Sequence, residues 1–176
     1  MRVLENYKGF SVCALDKTIA ENYKKEILAL LSLIPNSNYK EEDITAEKKG
    51  ERILYNKWEH SIIIFKNNMP VAVLISYERE KEDNKLYPEN CLYINEIAVS
   101  EKYRSFGLGK QMMEYILKNT KTFITLKGKM VFKVQTEDSS ANEKVINFYK
   151  HLGFTQKGRK EYPCKYDLVM ELKNEI

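Results

Sequence analysis

The sequence predicts a mixed α/β fold in a single domain spanning residues 1–176, and three observations lead there. Short runs of β-branched residues alternate along the whole chain with amphipathic runs of helical period. Two of the β-type runs, 61–66 and 71–77, are joined by Asn67-Asn68-Met69-Pro70, which reads as a hairpin and makes part of the sheet antiparallel. A third, 92–99, leads through a glycine-containing turn into a helix-period segment.

Taken in order, Phe10 to Leu15 is the first predicted strand. Asp16 or Thr18 then caps one helix, whose apolar positions Ile19, Tyr23, Ile27, Leu30, Leu31 and Ile34 recur at helical spacing until Pro35 stops it. Asn36 to Asn38 is a loop. From Lys40 to Trp58 the pattern is charged with sparse apolar residues, a second, more exposed helix or an irregular segment. The hairpin follows, then a polar loop over 79–90. Strand 92–99, helix 107–118, strand Met130–Thr136, helix 142–151 and a closing pair, 154–161 and 167–172, complete the order. In Leu92-Tyr93-Ile94-Asn95-Glu96-Ile97-Ala98-Val99 the bulky aliphatics fall at 92 and 94, then at 97 and 99. The alternation slips by one at Asn95-Glu96, as a β-bulge would make it, or as a central strand buried on both faces permits.

Composition narrows the function classes. The chain has 176 residues, 43% hydrophobic and 31% charged, enough for one well-buried domain and short for two. No apolar run approaches the ~20 residues of a membrane span, and no signal-type apolar core follows Met1-Arg2. Cys13, Cys91 and Cys164 are scattered, without a C-x-x-C pair, and read as reduced thiols of a cytoplasmic protein rather than a disulfide frame or metal site. The net charge of +4 is small and its basic residues are intermixed with acids, which speaks against nucleic acid as a partner.

The segment Arg104-Ser105-Phe106-Gly107-Leu108-Gly109-Lys110 carries the most chemistry. A strand that ends in a glycine turn and enters a helix presents free backbone N–H groups at the positive end of the helix dipole, a setting for phosphate or pyrophosphate. Side chains at Gly107 or Gly109 would hold the ligand off those amides. A helix that merely begins at a Gly-rich turn has the same local pattern. A P-loop is excluded because Arg104 and Gln111 stand where Gly and Ser/Thr are needed. A dinucleotide fingerprint is excluded because Met112 stands where a third small residue belongs.

A second segment is Asn142-Glu143-Lys144-Val145-Ile146-Asn147-Phe148-Tyr149-Lys150-His151-Leu152-Gly153-Phe154. Its apolar residues lie on one helical face, Asp138, Ser139, Ser140 or Asn142 are candidate caps, and Gly153 stands at the C-terminal cap position. The two segments together resemble the GCN5-related N-acetyltransferase family. Arg104, Gly107 and Gly109 match its Arg/Gln-x-x-Gly-x-Gly pattern after a strand, and Asn142, Tyr149, Gly153 and Phe154 match its later Asn-x(6)-Tyr-x(3)-Gly-Phe pattern. The specific match covers roughly residues 92–156; elsewhere only the order of elements agrees.

The resemblance implies the acyl-CoA N-acyltransferase fold, a mostly antiparallel mixed sheet flanked by helices, in which strand 92–99 carries a bulge and splays from its neighbour. It also implies acetyl-CoA as acyl donor, with no metal. Cofactor contacts would come from Ile97, Ala98, Val99, Arg104, Ser105, Phe106, Gly107, Leu108, Gly109, Lys110, Asn142 and Tyr149. A backbone N–H near Val99 would polarise the thioester carbonyl. Tyr149 holds the family's general-acid position, a phenol able to protonate a departing thiolate, although a core aromatic fits the helix equally. Glu96, the one acidic residue of 92–99, is the candidate base, directly or through a water chain.

The function expected is therefore transfer of acetyl from acetyl-CoA to a primary amine, by direct attack in a ternary complex and by a monomer or homodimer. The expected acceptor is a small molecule, because only 36–60 and 79–90 remain to wall an acceptor site. Glu78, Glu80, Glu82 and Asp83 would attract a cationic amine, or simply form a solvated hairpin extension. The alternatives are an acetyltransferase of protein or peptide N-termini (or lysines), and a non-catalytic acyl-CoA-binding module on the same fold.

Overall fold

The computed structural model describes residues 1–120, 126 and 131–173. The architecture is mixed α/β, its strands mostly antiparallel and flanked by helices. Two compact units build it: Met1–Tyr77 with Glu96–Ile124, and Glu78–Asn95 with Thr125–Ile176. Two strands, β6 (Met69–Arg79) and β7 (Cys91–Val99), run from one unit into the other along the chain.

In the first unit, β1 (Val3–Tyr7), β2 (Phe10–Ala14), β5 (Ile62–Lys66) and β6 pair antiparallel in that order. The β5–β6 turn is tighter than the sequence reading had it. Asn67 and Asn68 alone make it, at φ 50° and 62°, the left-handed pair of a two-residue hairpin, and Met69 and Pro70 already belong to β6. The single helix expected from Asp16 to Pro35 is two, α1 (Lys17–Asn22) and α2 (Lys24–Leu31). Asp16 caps α1 by accepting from the Ile19 N–H at 2.8 Å. The break falls at Tyr23, whose backbone leaves the helical region (φ −116°, ψ 25°) while its ring stacks edge-on against Phe65. Helical spacing survives such a break because Tyr23 still packs against the same core: Leu15, Ile19, Ile27, Leu31, Ile63, Val73 and Ala98.

Segment 40–58 is neither one helix nor irregular. It folds as α3 (Glu41–Thr45), a ribbon of β3 (Lys48–Lys49) and β4 (Arg52–Ile53), and α4 (Lys57–His60). Lys57 holds it together: its Nζ donates to the carbonyls of Ile44 at 2.9 Å and Ala46 at 2.7 Å, at the end of α3. Burial lowers its pKa to about 8. The unit closes with a 3₁₀ turn, Glu101–Phe106, and α5 (Leu108–Asn119), which buries Leu108, Met112, Met113 and Ile116.

In the second unit, β7 pairs parallel with β8 (Val131–Glu137) at Leu92, Tyr93 and Ile94. The β7–β8 register ends there, one residue before the slip read at Asn95-Glu96. β8, β10 (Lys165–Lys173) and β9 (Thr155–Tyr162) follow antiparallel. Met130, the expected first residue of β8, lies outside the described residues. Helix α6 (Glu143–His151) ends as the sequence predicts: Gly153 is at φ 92°, and the bonds Gly153 N to Lys150 O and Phe154 N to Tyr149 O, both 3.0 Å, make a Schellman cap. Among the described residues no helix is long and apolar enough to cross a membrane.

Candidate active site

In the first unit β7 delivers Glu96, Ile97, Ala98 and Val99, and the chain turns at once into the glycine segment. Gly107 caps α5 in the left-handed region, φ 77° and ψ 17°. The first hydrogen bond inside α5 runs from Gln111 N to Gly107 O at 3.0 Å. The amides of Leu108, Gly109 and Lys110 therefore open the helix with no carbonyl of their own turn to bond, the condition for binding an anion. Leu108 is buried beneath them, whereas Ser105, Phe106 and Lys110 face solvent. Arg104 is exposed as well; its Nε reaches back to the Val99 carbonyl at 3.4 Å and its guanidinium stands 3.8 Å from Glu101.

Two details refine the part expected of β7. Ala98 is 5% exposed and its methyl belongs to the hydrophobic core, so only its backbone is available to a ligand. The Ser100 N–H donates to Val71 O at 2.8 Å, which removes it from the donors near Val99 that could face a thioester carbonyl.

Glu96 is half-buried. Its burial raises its pKa to about 7, against the opposing pull of the Lys49 charge and a hydrogen bond from Tyr39. A carboxyl poised near neutrality exchanges a proton readily at physiological pH, which is what a general base needs. Tyr39 and Lys49 were not singled out in the sequence. Tyr39 follows a polar loop and packs on the core cluster, and Lys49 sits on β3 of a segment with no periodic pattern. Neither position carries a motif.

The second unit holds Asn142 and Tyr149. Asn142 stands at the start of α6 but does not cap it through its side chain; its Nδ2 donates instead to the Glu137 carbonyl at 3.2 Å. Tyr149 is 3% exposed, its ring edge-to-face with Phe148 at 5.2 Å and Phe154 at 5.6 Å. By its packing the ring is a core aromatic.

The acidic loop departs from expectation. Glu78 is 1% exposed and accepts from the Leu126 N–H at 2.9 Å. Glu82 pairs with Arg79, whose guanidinium lies 3.5 Å from the centre of the Tyr87 ring. Two of the four carboxylates are thereby committed to holding their own unit.

The family model described as the acetyltransferase (GNAT) family matches residues 25–154. No curated protein matches the chain by sequence. Among solved structures, the chain is similar to a structure of the NatC complex bound to Gag peptide and CoA, with a TM-score of 0.72, 18% identity, and 94% of this chain and 99% of that one covered. Arabidopsis thaliana Naa50 with the bisubstrate analogue CoA-Ac-MVNAL gives 0.68 at 15% identity, covering 94% and 99%. The Escherichia coli ribosomal-protein-S18-alanine N-acetyltransferase gives 0.66 at 15% identity, covering 93% of each chain. At these identities the structural likeness speaks for the fold, and the family match over most of the sequence speaks for descent. The chain belongs to the acetyltransferase (GNAT) family.

Proposed function

We propose that the protein is an acetyl-CoA-dependent N-acetyltransferase of the cytoplasm, and that residues 1–176 form a single catalytic domain of that kind. The observation that carries this reading is local to one stretch of chain. A half-buried carboxyl with its pKa near 7, Glu96, precedes by eleven residues a left-handed glycine that opens a twelve-residue helix. A pyrophosphate suits the turn: the amides that open α5 have no carbonyl of their own turn, and at Gly107, φ 77°, a side chain would be strained.

In this reading coenzyme A supplies an acetyl group activated as a thioester. The amides of Ser105 to Lys110 hold the pyrophosphate, with the backbone of Ile97, Ala98 and Val99 and the side chain of Asn142 along the pantetheine arm. A donor at Val99 faces the carbonyl oxygen where negative charge develops. Glu96 takes the proton of the acceptor ammonium, directly or through water, leaving a neutral amine free to attack. Tyr149 donates its phenolic proton to the sulfur as the carbon–sulfur bond breaks, and its phenolate takes up the second proton that the nitrogen sheds in becoming an amide. No metal enters the scheme.

For the acceptor we infer a primary amine, with a small molecule as the first reading because only segments 36–60 and 79–90 remain to shape an acceptor site. The acidic loop supports that reading less than its sequence promised, since Glu78 and Glu82 are engaged within their unit. The α-amine of a peptide is the second reading, favoured by the names of the structural neighbours: a Gag peptide, a CoA–peptide analogue and a ribosomal-protein alanine. Acetyl-CoA offered with separate panels of polyamines, aminoglycosides, amino acid derivatives and short peptides tests both. Amine-dependent release of free thiol with an N-acetylated product is expected. Release with peptides alone would replace the first reading by the second, and acetyl-CoA binding without release on any panel would make the protein a binding module.

A further inference from the structure

We propose that Tyr7 is a positioning residue for the cofactor turn: by holding the Phe106 carbonyl, it aims the Gly107 N–H at the pyrophosphate. The inference rests on the reading of residues 104–110 as the pyrophosphate site, and it involves a strand, β1, that no sequence motif touches.

Tyr7 and Phe10 are cross-strand partners of the β1–β2 hairpin and so share one face of it. That face packs on the turn. The Phe10 ring meets Tyr103 edge-on at 5.5 Å and Phe106 at 5.4 Å. The Tyr7 hydroxyl donates to the Phe106 carbonyl at 3.4 Å. Glu5, two residues from Tyr7 and on the same side of β1, accepts from the Gln111 Nε2 in the first turn of α5. The register of β1 shifts between Val3 and Glu5, and such a shift decides which face the rest of the strand turns inward. Three side chains of one hairpin face thus reach Tyr103, Phe106 and Gln111 on either side of Gly107.

The consequence follows from peptide geometry. Phe106 C=O and Gly107 N–H belong to one trans peptide, in which the two bonds point in opposite directions. A carbonyl held toward Tyr7 therefore turns the N–H away from it and away from the hairpin face. Glycine is the residue whose neighbouring peptide planes rotate most freely, so this is where the turn most needs an external hold. The Tyr7 hydroxyl is also 3.4 Å from where a Cβ on Gly107 would stand, close enough to limit that rotation by contact. A bond of 3.4 Å is long for a hydroxyl donor, so the expected effect is modest, roughly three- to tenfold.

The test compares two acyl donors, acetyl-CoA and S-acetylpantetheine, which lacks the pyrophosphate. Tyr7→Phe keeps the ring and removes only the hydroxyl. The KM for acetyl-CoA is expected to rise roughly three- to tenfold with kcat little changed, while the KM for S-acetylpantetheine and the thermal midpoint stay at their wild-type values. A wild type that prefers acetyl-CoA, joined to a Tyr7→Phe variant with the same preference, overturns the inference alone. Equal losses on both donors overturn it too, because they mean a general structural role. A wild type that does not distinguish the donors overturns the pyrophosphate reading and this inference with it.

Discussion

The stretch from Glu96 to Lys110 and the polar interior of the second unit handle buried polarity in opposite ways. In the second unit charges are buried and matched. Lys133, fully buried, stands 3.0 Å from Glu171 and donates to the Leu86 carbonyl at 2.6 Å. Gln135 bridges Asp167 at 2.6 Å and Tyr162 at 2.7 Å, and accepts from Tyr87 at 3.2 Å. Burial also keeps two groups neutral there: against the lowering pull of the Arg79 charge it pushes the Tyr87 phenol and the Cys91 thiol each up to about 12. Around Glu96 the matching is partial, so the carboxyl titrates near 7 instead of being fixed in one form, and the amides beyond Gly107 have no carbonyl of their own turn. Matched polarity specifies a fold, and partly matched polarity is left over for a ligand or a proton.

The comparison breaks most visibly at Gly109. Gly109→Asp adds bulk and negative charge where the phosphates sit, and acetyl-CoA affinity should fall by about a hundredfold or more, read by calorimetry on a folded variant. Unchanged affinity would move the phosphate site elsewhere. Tyr149→Phe should lower kcat by about 10–1000-fold while cofactor affinity and thermal midpoint change little, the range expected for a positioned acid. A wild-type rate would leave Tyr149 a core residue only. Lys133→Met should do the converse. It leaves Glu171 buried without its nearest cation and a carbonyl without its donor, costing about 2–4 kcal/mol in denaturant melts, while acetyl-CoA affinity changes less than about twofold. A large loss of affinity without loss of stability would mean that the matched network serves the ligand after all.

Legibility in the sequence follows the same division. Elements with a periodic face or a special backbone position were readable: the β5–β6 hairpin, the Gly107 turn, and the α6 cap at Gly153, where φ is 92°. Glu96 stood out because it is the one acid in an apolar strand. Features held by contacts distant along the chain were not readable. β1 carries no clean alternation in Val3–Tyr7 and pairs only along one side, so it left no pattern. Segment 40–58 is organised by one lysine reaching the end of a helix more than ten residues earlier, a contact that local periodicity cannot show. The acidic loop looked solvated because Glu78 and Glu82 find their partners, Leu126 N–H and Arg79, only once the chain has folded.

Glu96 carries the proposed proton transfer, and its pH dependence is the most direct test of that role. Its pKa in the folded protein, about 7, lies above the ordinary carboxylate value of 4.5, so the folded state favours the protonated form. Stability contributed by that preference is present at low pH and fades as pH rises from about 4.5 through 7. Glu96→Gln should therefore be the more stable protein at pH 8, by about 1–2 kcal/mol after allowing for partial exposure. Activity should move the other way. With rates expressed per acceptor ammonium, the form from which Glu96 takes the proton, wild-type kcat/KM should climb through an apparent pKa near 7, and Glu96→Gln should be slower by about 10–100-fold with that climb abolished. A Glu96→Gln variant that keeps both the wild-type rate and the inflection near 7 would contradict the assignment of Glu96 as the base and the contrast drawn between the two regions.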